Sequence, residues 1–213
     1  MSARRLLLAS GNLHKLAELR ALAADLPLEV LGPEALPHGL PEVEESGTTF
    51  AENAALKARA AAAVAAAAGG GEPWALADDS GLCVDALDGA PGTRSARFSG
   101  IEGPARDATN NALLLERLRG IPAERRGAEF RCAIAVAAPG RLLFTAHGIA
   151  RGRILEAPEG AGGFGYDPLF YDVKSETSYA RLTAAAKSVM SHRGRAMKEL
   201  RALLVQALNC DCA

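Results

Sequence analysis

The period of the apolar positions changes several times along the chain, and each change marks an element. Arg5 to Ala9 is a short continuous apolar run closed by Ser10-Gly11-Asn12, the pattern of a buried strand and a turn. From Lys15 to Leu26 the leucines fall at 16, 19, 22 and 26 with Glu18, Arg20 and Asp25 between them, a helical stripe. Leu28 to Leu31 reads as a second strand, and a Pro- and Gly-rich connection then runs to Leu40. Thr49-Phe50-Ala51-Glu52 has the spacing of a capping box, so Glu52 is read as structural. The helix it opens includes the Ala-rich stretch from Ala58 to Ala68 and ends at Gly69-Gly70-Gly71. Pro73 to Ala77 is a third strand, with Asp78-Asp79-Ser80 at its end, where Gly81 breaks the run before Cys83 to Leu87 resumes it.

The second half follows in the same way. Gly89 to Gly100 carries too many turn residues for a core element. Asp107 to Leu118 is helical, with Leu114, Leu115 and Leu118 inward. Phe130 to Ala138 and Leu142 to Ile149 form a hairpin about Pro139-Gly140-Arg141, and Arg151 to Leu155 extends the β region. Thr183 caps a helix through Lys187, with Ser191 to Arg195 inside or beside it, and a last helix runs from Met197 to Leu208. Early strand–helix alternation followed by hairpin-like strands predicts an α/β fold with a mixed sheet.

Composition narrows the function classes. At 213 residues and 49% hydrophobic content, the chain is expected to fold as one domain, 1–213, of two lobes. A net charge of −1 argues against a general nucleic-acid binder, although Arg193 to Arg201 could serve a small anion. Cys83, Cys132, Cys210 and Cys212 show neither zinc spacing nor disulfide density, so a reducing, cytoplasmic compartment is expected. Residues from about 208 to 213 read as a loose tail. No signal peptide and no membrane-spanning run is expected.

Candidate chemistry sits in five places. Ser10-Gly11-Asn12-Leu13-His14-Lys15 joins a strand to a helix start, where backbone N–H groups and the helix dipole favour an anion and Lys15 adds a charge. It is not a Walker A loop, and an ordinary β–α turn gives the same pattern. Glu42 to Gly47 is an acidic turn, and Asn53 and Lys57 share a face of the next helix, with solvent exposure the leading expectation for that pair. Asp78 and Asp79 suit a hard cation such as Mg2+ or, equally, a local turn. Gly160 to Phe170 combines glycines with Phe164 and Tyr166, either a stacking surface for a flat base or a plain loop; it lacks a Rossmann context. Lys187, His192 and Arg193 make a donor-rich patch.

Together these motifs resemble the inosine/xanthosine triphosphate pyrophosphatase family. The resemblance rests on Ser10-Gly11-Asn12-x-x-Lys15, Glu44-Glu45-Ser46-Gly47-x-Thr49-Phe50-x-Glu52-Asn53-Ala54-x-x-Lys57-Ala58, Ala77-Asp78-Asp79-Ser80-Gly81-Leu82, Gly163-Phe164-Gly165-Tyr166-Asp167-Pro168 and Lys187-x-x-x-Ser191-His192-Arg193, in this order. It spans Leu7 to about Leu204. It implies an elongated, mixed, twisted central sheet flanked by helices, with two lobes and the nucleotide in the cleft between them. It implies Mg2+-dependent hydrolysis of dITP, ITP and XTP to monophosphate and pyrophosphate by a homodimer. Ser10 to Lys15 would hold the triphosphate, and Asp79 would accept the proton of the attacking water and touch the metal. Glu44 would be the other metal ligand, with Glu45 as rival. Ser80 would bind substrate, Phe164, Gly165, Tyr166 and Asp167 the base and sugar, and Lys187, His192 and Arg193 the phosphate or purine edge. Asn53, Lys57 and Asp78 are further candidates.

The chain departs from that pattern at Ala184-Ala185-Ala186, where an acidic residue precedes the lysine, and in the Cys210-Asp211-Cys212-Ala213 tail. The competing readings are a pyrophosphatase of modified pyrimidine nucleotides, a silent nucleotide-binding module and a scaffold.

Overall fold

A computed structural model of the chain describes residues 3–69 and 72–210. Among these residues seven strands hydrogen-bond in one sheet, and five α-helices accompany them. The strands are β1 (Arg4–Leu8), β2 (Leu28–Leu31), β3 (Trp74–Val84), β4 (Gly127–Ala138), β5 (Arg141–Ile154), β6 (Phe170–Asp172) and β7 (Thr177–Ser178). The sheet order is β2-β1-β3-β4-β5-β6-β7. β1 pairs in parallel with β2 and β3, while β6 pairs antiparallel with β5 and β7, so the sheet is mixed as expected. The helices are α1 (Leu13–Leu22), α2 (Phe50–Ala67), α3 (Arg106–Arg117), α4 (Ala184–Met190) and α5 (His192–Cys210).

The chain divides into two compact units. One holds residues 1–79, 133–147 and 196–213, and the other holds 80–132 and 148–195. In the first, Leu6, Leu7 and Leu8 are buried, as are Leu16 and Leu19 of α1 and Ala54, Ala58, Ala61, Ala62 and Ala65 of α2. Alanine at most of the inward positions of α2, beyond Phe50 and Asn53 in its first turn, removes side-chain bulk, which lets a helix backbone approach its neighbours closely. In the second, Leu82, Val84, Leu114, Leu118, Phe130, Ile154, Tyr166, Phe170 and Tyr179 form one cluster. Its aromatic centre has Phe130 and Phe170 at 4.7 Å and Phe170 and Tyr179 at 4.7 Å between ring centroids. Arg126, 6% exposed, binds the carbonyls of Leu118, Ile121 and Leu155 and so closes the C-terminal end of α3.

Four segments differ from the sequence expectation. The strand that carries Asp78, Asp79 and Ser80 does not end there, because β3 continues through Gly81 to Val84. The glycine is buried, and β3 keeps its ladder where composition suggested a break. α1 stops at Leu22, four residues short of Leu26, with Ala23 as its C-cap. The expected loose tail from about 208 is helical through Cys210, with Leu208 only 9% exposed; Cys212 lies outside the described residues. The segment from 89 to 100, expected as open loop, holds a 3-10 turn over Gly92–Arg97.

Candidate active site

β3 explains why two adjacent carboxylates coexist. Successive side chains on a strand point to opposite faces, so Asp78 and Asp79 diverge. Asp78 turns to α1, where Lys15 Nζ donates to its carboxylate at 2.8 and 2.9 Å. The Asp78 side chain is 4% exposed, so its carboxylate is nearly dry, while Lys15, 29% exposed, reaches it from the surface and matches its charge. Asp79 turns to α2, where Asn53 Nδ2 donates at 3.3 Å and Lys57 Nζ at 3.2 Å. Ser80, next along, is exposed.

α2 is fixed where it must be to do this. Thr49 caps it by accepting from the Glu52 N–H at 3.1 Å, and Glu52 Oε2 takes the N–H groups of Thr48 and Thr49 in return. The capping box and the structural reading of Glu52 are borne out. Asn53 is fully buried, and its Oδ1 accepts the Gly47 N–H at 2.8 Å, tying the acidic turn to Asp79 through one side chain. A Cβ on Gly47 would stand 2.6 Å from that oxygen, which is why the turn needs glycine there. The expectation that Asn53 and Lys57 face solvent is overturned: a polar pair on an alanine helix turns inward because it meets the half-buried Asp79 carboxylate.

Lys57 also donates to Glu45 Oε1 at 2.8 Å. The structure therefore brings Glu45, not Glu44, to the Asp79 cluster. Glu44 is exposed, and its backbone carbonyl accepts from the Ser46 N–H. Burial pushes the Asp79 carboxyl above its ordinary value; the Lys57 charge opposes this, and the nearby Glu45 charge adds to it. Burial alone would lower Lys57, but Glu45 and Asp79 outweigh it and hold the ammonium more basic than usual.

The Glu45 and Asp79 carboxylates meet at the Lys57 ammonium in a half-buried place, and both offer hard oxygens. That fits a divalent cation such as Mg2+, which typically takes one or two carboxylates and completes its shell with water and phosphate. Among the described residues no three His, Cys, Asp or Glu side chains converge as a ready-made cage.

At the other phosphate candidate, Asn12 is the N-cap of α1. Its Oδ1 accepts from the His14 N–H at 2.9 Å and the Lys15 N–H at 3.3 Å, and Ser10 Oγ accepts from the Asn12 N–H. Gly11 to His14 are exposed, Leu13 at 77%, and the space beside Gly11 is open. Asparagine rather than the Ser-Gly pair does the capping here.

In the second unit, Phe164-Gly165-Tyr166-Asp167 is a tight turn closed by the Asp167 N–H bonding the Phe164 carbonyl. Asp167, 3% exposed, accepts the Phe164 N–H at 2.8 Å and pairs with Lys187. Lys187 Nζ also lies 4.5 Å from the centre of the Phe164 ring, a cation–π contact. The lysine is thus oriented by Asp167 and Phe164, so alanine at 184 to 186 leaves it held. Phe164 itself is 75% exposed, a flat aromatic face open to a ligand. Gly163 has φ +75, and a Cβ there would overlap the Asp167 carboxylate, so two constraints require glycine at that position.

α4 ends at Met190, and Ser191 opens α5 by accepting the Gly194 N–H. His192 stacks on Phe130 at 4.8 Å with 14° between the planes. A side chain on Gly194 would strike the Ser188 carbonyl, so glycine sets the close α4–α5 junction that presents His192 and Arg193.

Some partners of this turn were not foreseen. Tyr166 Oη donates to the Ser95 carbonyl at 2.9 Å, and burial pushes its phenol up, so it remains a donor. Asn110 on α3, 2% exposed, binds the carbonyls of Ser95 and Ala96 and the Ser99 N–H. Asn111 and Asp107 on the same helix bond Gly165. The signal was present: Asn110 lies four residues before Leu114, a polar residue on the apolar stripe.

The Ham1 family pattern matches residues 6–203 of the chain. The chain belongs to the Ham1 family. The relatives of this Ham1 chain include a dITP/XTP pyrophosphatase of Frankia alni, 50% identical over 96% of the chain and 98% of the relative. Another, a dITP/XTP pyrophosphatase of Anaeromyxobacter sp. (strain Fw109-5), is 48% identical over 93% and 96%. A HAM1 protein from Coxiella burnetii superposes with a TM-score of 0.85 at 37% identity, covering 95% of this Ham1 chain and 99% of the other. A nucleoside-triphosphatase, dITP/XTP pyrophosphatase, from Mycobacterium abscessus superposes with a TM-score of 0.76 at 41% identity, covering 92% and 97%.

Proposed function

We propose that this Ham1 chain hydrolyses non-standard purine nucleoside triphosphates, dITP, ITP and XTP, to the monophosphate and pyrophosphate. The observation that carries the reading is the divergence of Asp78 and Asp79: one carboxylate is neutralised by Lys15, the other is kept basic beside Glu45, Lys57 and Asn53. The printed names of relatives with near-50% identity support the substrate class.

Each residue then has a task. Lys15 and the Ser10 to His14 segment receive the triphosphate, whose charge draws the ammonium away from Asp78. Asp79 takes the proton as water attacks the α–β phosphoanhydride; the bridging P–O bond breaks, and pyrophosphate departs. A carboxyl raised above its ordinary value is the better base for that step. Lys57 and Asn53 keep its oxygens aimed. Asp79 and Glu45 would hold Mg2+, which when bound supplies charge neutralisation on the phosphates and a more acidic water. Ser80 adds a hydroxyl to the substrate contacts. Phe164 offers its face to the base, with Gly165, Tyr166 and Asp167 around base and sugar and Lys187 beside them. His192 and Arg193 donate to the 6-oxo group of hypoxanthine or xanthine, where adenine presents a donor instead.

The reading also includes a single functional domain over 1–213 and a homodimer, which light scattering would register at about twice the mass of 22.1 kDa. Among the described residues no helix is long and apolar enough to cross a membrane.

Pyrophosphate release from ITP, XTP, dITP, GTP and ATP, with Mg2+ and with EDTA, tests the reading. Metal-dependent release from the first three alone supports it. Equal release from all five would remove the base recognition, and release from modified pyrimidine nucleotides alone would favour that rival.

A further inference from the structure

The turn that presents Phe164 is gripped from α3. Asp107 and Asn111 stand one helical turn apart and share a face. Asp107 Oδ2 accepts the Gly165 N–H at 2.7 Å, and Asn111 Nδ2 donates to the Gly165 carbonyl at 3.0 Å. These bonds fall on the peptide groups before and after one residue, so together they set both peptide planes. Gly165 has φ +59 and nothing within 4 Å of where a Cβ would lie, so the turn here is held by hydrogen bonds rather than by crowding. Asn111 Oδ1 is buried with no hydrogen-bond partner, an arrangement that costs stability, while the Nδ2 of the same amide holds this turn.

We propose that Asp107 and Asn111 are positioning residues for base recognition, holding the Phe164-Gly165 turn in the orientation that meets the purine. The inference rests on the pyrophosphatase reading above and deepens it. Phe164 is three quarters exposed, and beyond the Lys187 ammonium over its ring its direction comes from the backbone below it. Asp167 holds the Phe164 N–H, and the pair on α3 holds the next two peptide groups. Without the grip the turn samples other orientations, and ordering it falls to the binding step. Affinity for the base drops, while the carboxylate chemistry on β3 is left alone.

The test uses Asp107→Ala, Asp107→Asn and Asn111→Asp, each checked for folding by thermal melting. Asn111→Asp keeps the shape and sets a carboxylate against the Gly165 carbonyl. Asp107→Asn keeps an acceptor oxygen. KM for ITP is expected to rise about tenfold in Asp107→Ala and Asn111→Asp, equivalent to ~1.4 kcal/mol, with kcat within about twofold. Asp107→Asn should recover to within about threefold of wild type. Inhibition by inorganic triphosphate, which has no base, should not change, and the Gly165 amide should exchange with solvent faster in Asp107→Ala. An unchanged KM in folded variants would overturn the proposal, as would a parallel loss of triphosphate inhibition. Absence of turnover in wild type would instead overturn the pyrophosphatase reading, and the Gly165 exchange rates would still decide the grip.

Discussion

Each of the paired aspartates has a different partner, and that difference predicts different phenotypes. Asp79→Asn removes the base and should lower kcat by about 10²- to 10⁴-fold with little change in KM, measured as pyrophosphate release. Lys57→Met leaves Glu45 and Asp79 facing each other without the ammonium that now lowers Asp79. The Asp79 carboxyl should rise further, so the acidic limb of the rate–pH profile should move to higher pH; a limb that stays in place would argue against Asp79 as the titrating group. Gly163→Ala forces a side chain into positive φ and against the Asp167 carboxylate. We expect a loss of about 1–3 kcal/mol in chemical denaturation. At this scale the sequence was only half readable. It displayed Asp78 and Asp79 as equivalent neighbours, because the face each takes depends on whether the backbone there is strand or turn. The resemblance ranked Glu44 ahead of Glu45, and only the position of Lys57 brings Glu45 instead to Asp79.

Elements decide where those residues stand. α2 is placed by its capping box, and Thr49→Ala should cost ~1 kcal/mol of stability while loosening Asn53 and Lys57, seen as a lower melting temperature and a reduced kcat. This box was legible because its signal is local, three residues apart. The inward face of the same helix was not, since alanine gives no amphipathic contrast against which Asn53 could be read as buried. β3 was misjudged at Gly81 for a related reason: glycine is a turn signal by composition, but hydrogen bonding from neighbouring strands, remote in sequence, keeps it extended. The α3 residues that grip the Gly165 turn were missed because their partner lies 54 to 58 residues away.

For the whole molecule, function and stability pull on Asp79 in opposite directions. Its folded pKa lies above the ordinary 3.8, so between those two values the folded protein holds the proton more tightly than the unfolded chain. Stability therefore falls as pH rises through that window, and the deficit remains at neutral pH. Asp79→Asn should melt higher than wild type at pH 7, and the difference should close near the ordinary carboxylate pKa; a mutant that melts lower at pH 7 would contradict the direction of the shift. The general architecture, a mixed α/β sheet with β1 to β5 near their predicted places, was readable from the change of hydrophobic period along the chain, whereas the short β6 and β7 were not foreseen. The most direct single measurement is phosphorus NMR of ITP turning over with Mg2+, for wild type and Asp79→Asn. Inosine monophosphate and pyrophosphate in equal amounts, with no orthophosphate, and no products from the mutant would bear out hydrolysis of the α–β anhydride by the Asp79 site. Inosine diphosphate with orthophosphate, or undiminished turnover in the mutant, would contradict it.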